Sequence, residues 1–336
     1  MNARQPAAAS RVLRRLAAGE ARVTQAELFF DLIYAFAITQ LSHYLLTHLT
    51  VIGAVQALML WFAVWLGWQY TCWTTNWFDP ERMPVRLMLL GIMLLGLSMA
   101  SAVETAFAQG GWLFAGSYAA LQVGRSLFCV LSAGRGSPLL ANLQRLLGWN
   151  AIGAAVWLAG AACDERGRMV CWGLGVACDF ISPMFGLALP GLGRSRSDRD
   201  WVIDGGHLAE RCQLFVMMAL GESIIAAGSG FSESHVEIFG RSLAFLASFV
   251  GSVAMWWLYF DTSSGDGSRV IRQASDPGRT GAHFHYIHVL LIAGIIVSAV
   301  GDDLSLNEGE VLAGTPQLLI LLGGPVLYLA GNALYK

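Results

Sequence analysis

Charge is what this chain has least of. Asp, Glu, Lys and Arg together make up 13% of its residues, against roughly 25% in an ordinary soluble domain. The net charge is −2, so nothing points to a nucleic-acid partner. Lysine is almost missing: Lys336 is the only one, which excludes a retinal-type Schiff base inside a helix bundle. The six cysteines, at positions 72, 129, 163, 171, 178 and 212, form no CxxC and no paired metal spacing. Cys163 and Cys171 flank one short loop, yet compartment and spacing argue against a bridge between them. No apolar core precedes residue 28, so no cleaved signal peptide is expected. A Gly-rich phosphate loop, a Ser-His-Asp setting and a zinc-protease helix are all lacking. No cofactor or metal is therefore expected, and an enzyme is the weaker reading.

What the chain does have is apolar length. Hydrophobic residues account for 55% of it, and a spanning helix needs about 20 mostly apolar residues. Ten segments meet that need: 26–48, 52–74, 84–108, 112–133, 138–162, 169–190, 207–230, 237–261, 284–302 and 312–335. The expected fold is an all-α, polytopic transmembrane helix bundle. Arginines fall on one side of it. Arg4, Arg11, Arg14, Arg15 and Arg22 precede the first segment. Arg82 and Arg86, Arg135, then Arg194, Arg196 and Arg199, then Arg269, Arg272 and Arg279 follow the second, fourth, sixth and eighth. The alternate loops are uncharged or hold Asp302, Asp303, Glu308 and Glu310. Only Arg166 and Arg168, offset by Asp164 and Glu165, and Arg241 run against the trend. Both ends are thus expected on the cytoplasmic side of the membrane.

The two halves echo each other. Leu28-Phe29 matches Leu214-Phe215, and Trp77-Phe78-Asp79 matches Tyr259-Phe260-Asp261. Ala102-Val103-Glu104 matches Ala299-Val300-Gly301-Asp302, and Gly124-Arg125-Ser126-Leu127-Phe128 matches Gly331-Asn332-Ala333-Leu334-Tyr335. An even number of helices separates each pair, as in a parallel repeat; chance likeness among apolar helices is the competing explanation. The organisation expected is an Arg-rich cytoplasmic leader (1–23), a first repeat of six helices (24–192), a cytoplasmic linker (193–206) and a second repeat of four (207–336). The second repeat would then lack two helices.

Acids inside apolar segments are expensive and mark functional paths by default. In the first segment Glu27, Asp31, Ala35, Thr39 and Ser42 share an arc of roughly 120°, while Phe29, Phe30, Ile33, Phe36 and Leu41 lie opposite. Thr24-Gln-Ala-Glu27 also reads as a capping box, which gives Glu27 a purely local role. Asp31, one turn deeper, has no such role. In the seventh segment His207, Glu210, Arg211, Gly221, Glu222 and Gly228 share a second arc. Glu222 lies about 22 Å into it, and Arg211 is three turns away, too far to pair directly. Partners on other helices are expected, with Arg125 the counter-ion for Asp31 or Glu222. A fixed structural ion pair is the alternative for Glu210 and Arg211. Asp179 falls near the middle of the sixth segment, and Glu104 and Asp302 end the third and ninth. His283, His285 and His288 cannot all aim at one ion from a single helix, so a solvated or packing role is expected at that boundary. Trp61, Trp65, Trp68, Trp73, Trp77, Trp256 and Trp257 suit interfacial belts or helix packing.

These residues carry a likeness. Glu27-Leu-Phe-Phe-Asp31 with Phe36-Ala-Ile-Thr39-Gln40-Leu-Ser42, His207-x-x-Glu210-Arg211-x-x-Leu-Phe, and Leu220-Gly221-Glu222-Ser223 resemble the bacterial low temperature requirement A family. Trp257-x-Tyr259-Phe260 and Tyr286-x-His288 extend the resemblance from about residue 20 to the last. It implies a bacterial multi-pass membrane protein associated with growth in the cold, in a family whose members run longer on the C-terminal side. The leading expectation for function is a secondary transporter or ion-coupled carrier. Asp31, Glu222 and Arg125 would line a central polar site, Glu210 and Arg211 would gate its cytoplasmic mouth, and His207, Glu27 and Thr39 would complete the path. A lipid-modifying membrane enzyme using His207 and the carboxylates, and a structural or sensory protein whose acids lock helices together, stand as alternatives. The partners expected are the bilayer and an unidentified small solute or ion, with a homo-oligomer left open.

Overall fold

A computed structural model describes residues 12–14, 22–134, 136–233, 238–307 and 314–336. Arg4, Arg11, Arg15, Arg135, Glu308 and Glu310, and the side chain of Arg199, lie outside the described residues. The elements in order are α1 (Gln25–Thr47), α2 (Val51–Trp77), α3 (Met83–Ser101), α4 (Gly111–Ala133), α5 (Leu140–Ala161), α6 (Glu165–Met184), α7 (Ser197–Asp200), α8 (Gly205–Glu233), α9 (Ile238–Trp257), α10 (Ser264–Arg272), α11 (Pro277–Asn307) and α12 (Thr315–Tyr335). Among the described residues there is no β-strand, only two isolated bridges. The protein is an all-α helix bundle. Its ten long helices fall where the ten apolar segments were expected, with α7 and α10 as short additions.

Eight of those ten are long and apolar enough to cross a membrane; α5 and α6 are not among them. Their length suffices, but their composition is more polar than the segment count allowed. Asn142, Arg145 and Asn150 are buried in α5, and Arg168 and Asp179 in α6. These helices spend their polar groups inside the bundle, where α5 packs between α4 and α6. Arg168 shows why it breaks the arginine pattern. Its Nη1 donates to the carbonyls of Ala106 (2.8 Å) and Ala108 (2.7 Å), closing the turn after α3. It serves a buried loop and is not a free surface charge.

α2 is the axis of the bundle. Every residue from Ala63 to Trp77 is buried, as expected for a helix apolar on all sides with neighbours all round. Trp61, Trp65, Trp68, Trp73 and Trp77 accordingly pack in the interior, while Trp256 and Trp257 are exposed. Around α2 lie α1, α4, α6, α8 and α11. α11 and α12 approach backbone to backbone. A Cβ added at Gly294 would stand 2.5 Å from the Tyr328 nitrogen, and one at Gly324 would stand 2.6 Å from the Ser298 nitrogen. Small residues at such crossings are how membrane helices associate without a hydrophobic driving force. α9 ends in a π-helical stretch, Leu258–Ser263, that carries Tyr259 into the interior.

Part of the leader joins the bundle. Leu13 forms an antiparallel bridge with Phe78; Arg14 N donates to Trp77 O (2.8 Å) and Asp79 N to Val12 O (2.9 Å). The chain before α1 is thereby tied to the end of α2.

Candidate functional site

α1 and α8 run in the same direction and touch at three levels. Glu27 meets His207, Asp31 meets Arg211, and Thr39 meets Glu222, with sequence separations of 180, 180 and 183. The nearly constant separation means that two polar stripes, one on each helix, face each other along one seam.

The first two levels merge into one cluster. Thr24 and Glu27 form the capping box: Glu27 Oε2 accepts from the Thr24 backbone N–H at 2.9 Å, and Glu27 N–H donates to Thr24 Oγ1. The same carboxylate accepts from His207 Nε2 (2.9 Å) and lies 3.2 Å from Arg211 Nη1. The local and the long-range role of Glu27 are therefore both present. Arg211 Nη2 donates to Asp31 Oδ1 at 2.5 Å, and Trp68 Nε1 donates to the same oxygen at 2.8 Å. The guanidinium is sandwiched between the rings of Phe30 and Trp68, 5.8 and 5.9 Å from their centroids. Glu27, His207 and Arg211 have fully buried side chains, and that of Asp31 is 4% exposed. Asp31 Oδ2 and Arg211 Nε and Nη1 have no hydrogen bond in the structure; Nη1 is near Glu27 without aiming a proton at it.

The neighbours assign the histidine's protons. Asn76 Oδ1 accepts the Asp204 backbone N–H (2.8 Å), which turns its amide nitrogen toward His207 Nδ1 at 3.2 Å. Facing a donor, Nδ1 must be the acceptor, so the proton sits on Nε2 and points at Glu27. His207 is held as a neutral imidazole. Arg14 then supplies the second cation, its Nη2 3.5 Å from Glu27 Oε2. Two carboxylates are balanced by two guanidinium groups, and the cluster is locally neutral. Arg14 was counted among the leader's surface charges; only the tertiary bridge to Phe78 brings it here.

The other expected site residues lie elsewhere. Thr39 donates to Glu222 Oε1, and Glu222 is half-buried. Arg211 and Glu222 are eleven residues apart on α8, about 16 Å along its axis. Glu210 is half-buried, while its neighbour Arg211 is buried. Arg125 is the counter-ion of neither Asp31 nor Glu222. It donates to Gln122 Oε1, to Thr71 Oγ1 and to Gly67 O (both 3.3 Å), and stands 5.3 Å from the Tyr70 ring centroid. Gln122 Nε2 donates to Tyr118 Oη (2.8 Å), and that hydroxyl donates to Asp179 Oδ2 (2.8 Å). Arg125 and Asp179 are thus the two ends of a second buried network, on α4 and α6. Among the described residues, Asp31, Arg125 and Glu222 share no hydrogen-bond partner.

The histidines of α11 divide. His283 is exposed; His285 and His288 are fully buried. His285 accepts from Trp73 Nε1 (3.1 Å), and His288 Nε2 pairs with Tyr259 Oη (2.7 Å). The packing role fits those two, and solvation fits only His283. Among the described residues no His, Cys, Asp and Glu gather as a metal site, and all six cysteines are free thiols. Cavities of about 600, 560 and 330 Å³ open away from the α1–α8 cluster. The first lies between α9, α11 and α12 and includes Asp302; the second lies between α2, the end of α6 and the start of α11.

Comparison with known proteins agrees with the motifs. The model of the bacterial low temperature requirement A protein family matches residues 22–336. The chain is also 36% identical over 327 residues to an uncharacterized protein of Rhizobium meliloti (strain 1021), covering 96% of this chain and 79% of that one. No solved structure matches the chain.

Proposed function

The chain belongs to the bacterial low temperature requirement A family, and from that footing we propose that it is an ion-coupled carrier whose protonation centre is the Glu27–Asp31–His207–Arg211 cluster. One observation carries the reading: four ionisable side chains from two parallel helices meet with almost no exposure in an apolar bundle. Such groups are costly to bury and recur in proton relays. The cluster offers two places for an added proton, Asp31 Oδ2 and His207 Nδ1. A proton taken up on Asp31 Oδ2, which has no partner, leaves Arg211 with one acid fewer to hold. A proton on His207 Nδ1 would set a donor against the Asn76 amide N–H. Either event weakens the α1–α8 seam, as an alternating carrier requires. The family supports a bacterial cytoplasmic membrane, the arginine pattern supports an N-terminus inside, and the solute is a small molecule or ion.

A second reading has its own support. The cluster is neutral as it stands and the three cavities described above lie elsewhere, which suits a lock between helices in a structural or sensory membrane protein. Purified protein in liposomes loaded with a pH-sensitive dye separates the two. A carrier should pass protons under an imposed potential, and D31N should abolish the flux while the protein stays folded. No flux with either sign of gradient, and a D31N that merely lowers the unfolding temperature, would leave the lock.

A further inference from the structure

We propose that the cavity between α2, the end of α6 and the start of α11 is a binding site for a small, water-soluble organic acid with a planar, unsaturated body. Its volume, about 560 Å³, falls in the range of small-molecule sites. Tyr70, Trp73, Trp201 and Tyr286 form its walls. These rings are held in place: Trp73 packs edge-on to Trp201 at 5.0 Å, Trp201 Nε1 donates to Ser195 Oγ (2.7 Å), and Tyr286 Oη donates to Phe180 O (3.3 Å). Fixed aromatic faces select flat partners through stacking.

Charge selects the head group. Among the described residues no Asp or Glu lines the cavity, and its charged or chargeable nitrogen groups are Arg279 and His283, one turn apart on α11. Among the described residues, the Arg279 guanidinium has no carboxylate at ion-pair distance. The nearby Asp276 is already engaged: its Oδ1 accepts the Arg279 backbone N–H (3.0 Å) and its Oδ2 accepts from Ser197 Oγ (2.6 Å). The helix start is therefore closed by Asp276, and the cation a ligand meets is the Arg279 side chain. At the inner end, Gln69 spends its Oε1 on Trp65 Nε1 (2.8 Å), and Tyr70 carries Arg125 against its far face at 5.3 Å. One free guanidinium at the α11 end and aromatic walls behind it suit an anion that is flat and otherwise apolar.

Calorimetric titration of the full chain in zwitterionic-lipid nanodiscs tests this with naphthalene-2-carboxylate, its neutral carboxamide and the corresponding amine. The carboxylate should bind, with the carboxamide and the amine weaker by about tenfold or more, the size of one charge-assisted hydrogen bond. R279Q, on an exposed side chain, should remove that preference, and A282L should weaken all three by filling the wall. Equal binding of acid and amine, or an R279Q protein that still prefers the acid, overturns the assignment. Displacement of the carboxylate by phosphatidylglycerol added to the nanodisc would assign the cavity to a lipid head group and also overturn it. A protein that binds the acid yet passes no protons keeps this site and loses the carrier.

Discussion

Arg211 Nη2 and Asp31 Oδ1 lie 2.5 Å apart across the α1–α8 seam, with neither side chain more than 4% exposed. Breaking a buried pair by removing one partner typically costs about 3–5 kcal/mol, because the other charge is left uncompensated. R211M strands two carboxylates, Glu27 and Asp31, whereas D31N leaves Arg211 still beside Glu27. R211M should therefore be the more destabilising of the two, and D31N should recover part of the R211M loss when combined with it. Denaturant unfolding in detergent checks the order; equal losses would mean that the shared guanidinium is not what joins the acids.

Asn76 sets the state of His207 through two contacts that only a carboxamide can make together, accepting from Asp204 N–H and donating to Nδ1. Nitrogen NMR of the labelled histidines should show the His207 proton on Nε2 alone. N76D replaces the donor by an acceptor, so Nδ1 can keep this contact only by donating to it. The variant should show a proton on Nδ1. An unchanged spectrum would show that Asn76 does not govern the ring.

The close crossing of α11 and α12 rests on glycine at two positions. A side chain at Gly294 or Gly324 would run into backbone atoms of the facing helix, which cannot step aside as a flexible side chain can. G294V and G324V should each lower the unfolding temperature and expose Tyr328, now 1% exposed, to oxidative footprinting. G323V, where an added Cβ meets nothing within 4 Å, should leave both nearly unchanged.

The helices were legible because bilayer crossing imposes length and apolarity on a local stretch, and the capping box of α1 was legible because its partners are three residues apart. The polar stripes of α1 and α8 were legible too, since helical periodicity places Glu27, Asp31 and Thr39 on one face. Which stripe met which partner was not. Arg125, an arginine inside an apolar segment, reads as the counter-ion of Asp31 or Glu222, yet its partners Thr71 and Gln122 are neutral groups that leave no charge pattern. For Arg211 the sequence points to partners on other helices, but helical periodicity does not say that they are Asp31 and Glu27 across the seam. The role of Arg14 depends on a backbone bridge to Phe78, a contact that composition does not encode. Asp179 was noticed for its depth, but its tie to Arg125 passes through Tyr118 and Gln122, two residues that look like ordinary core.

Asp31 and Glu222 occupy the same seam but different levels of it. Sites farther apart than roughly 7–10 Å with no common partner usually add within about 0.3–0.5 kcal/mol, and the α8 ends of these two contacts are about 16 Å apart. D31N and E222Q should therefore combine additively in unfolding free energy. D31N and R211M, which share a hydrogen bond, should not. T39V should mimic most of the E222Q effect, because Thr39 Oγ1 is the donor that Glu222 loses. A coupling between D31N and E222Q as large as that between D31N and R211M would place both acids in one pocket and undo the separation of levels.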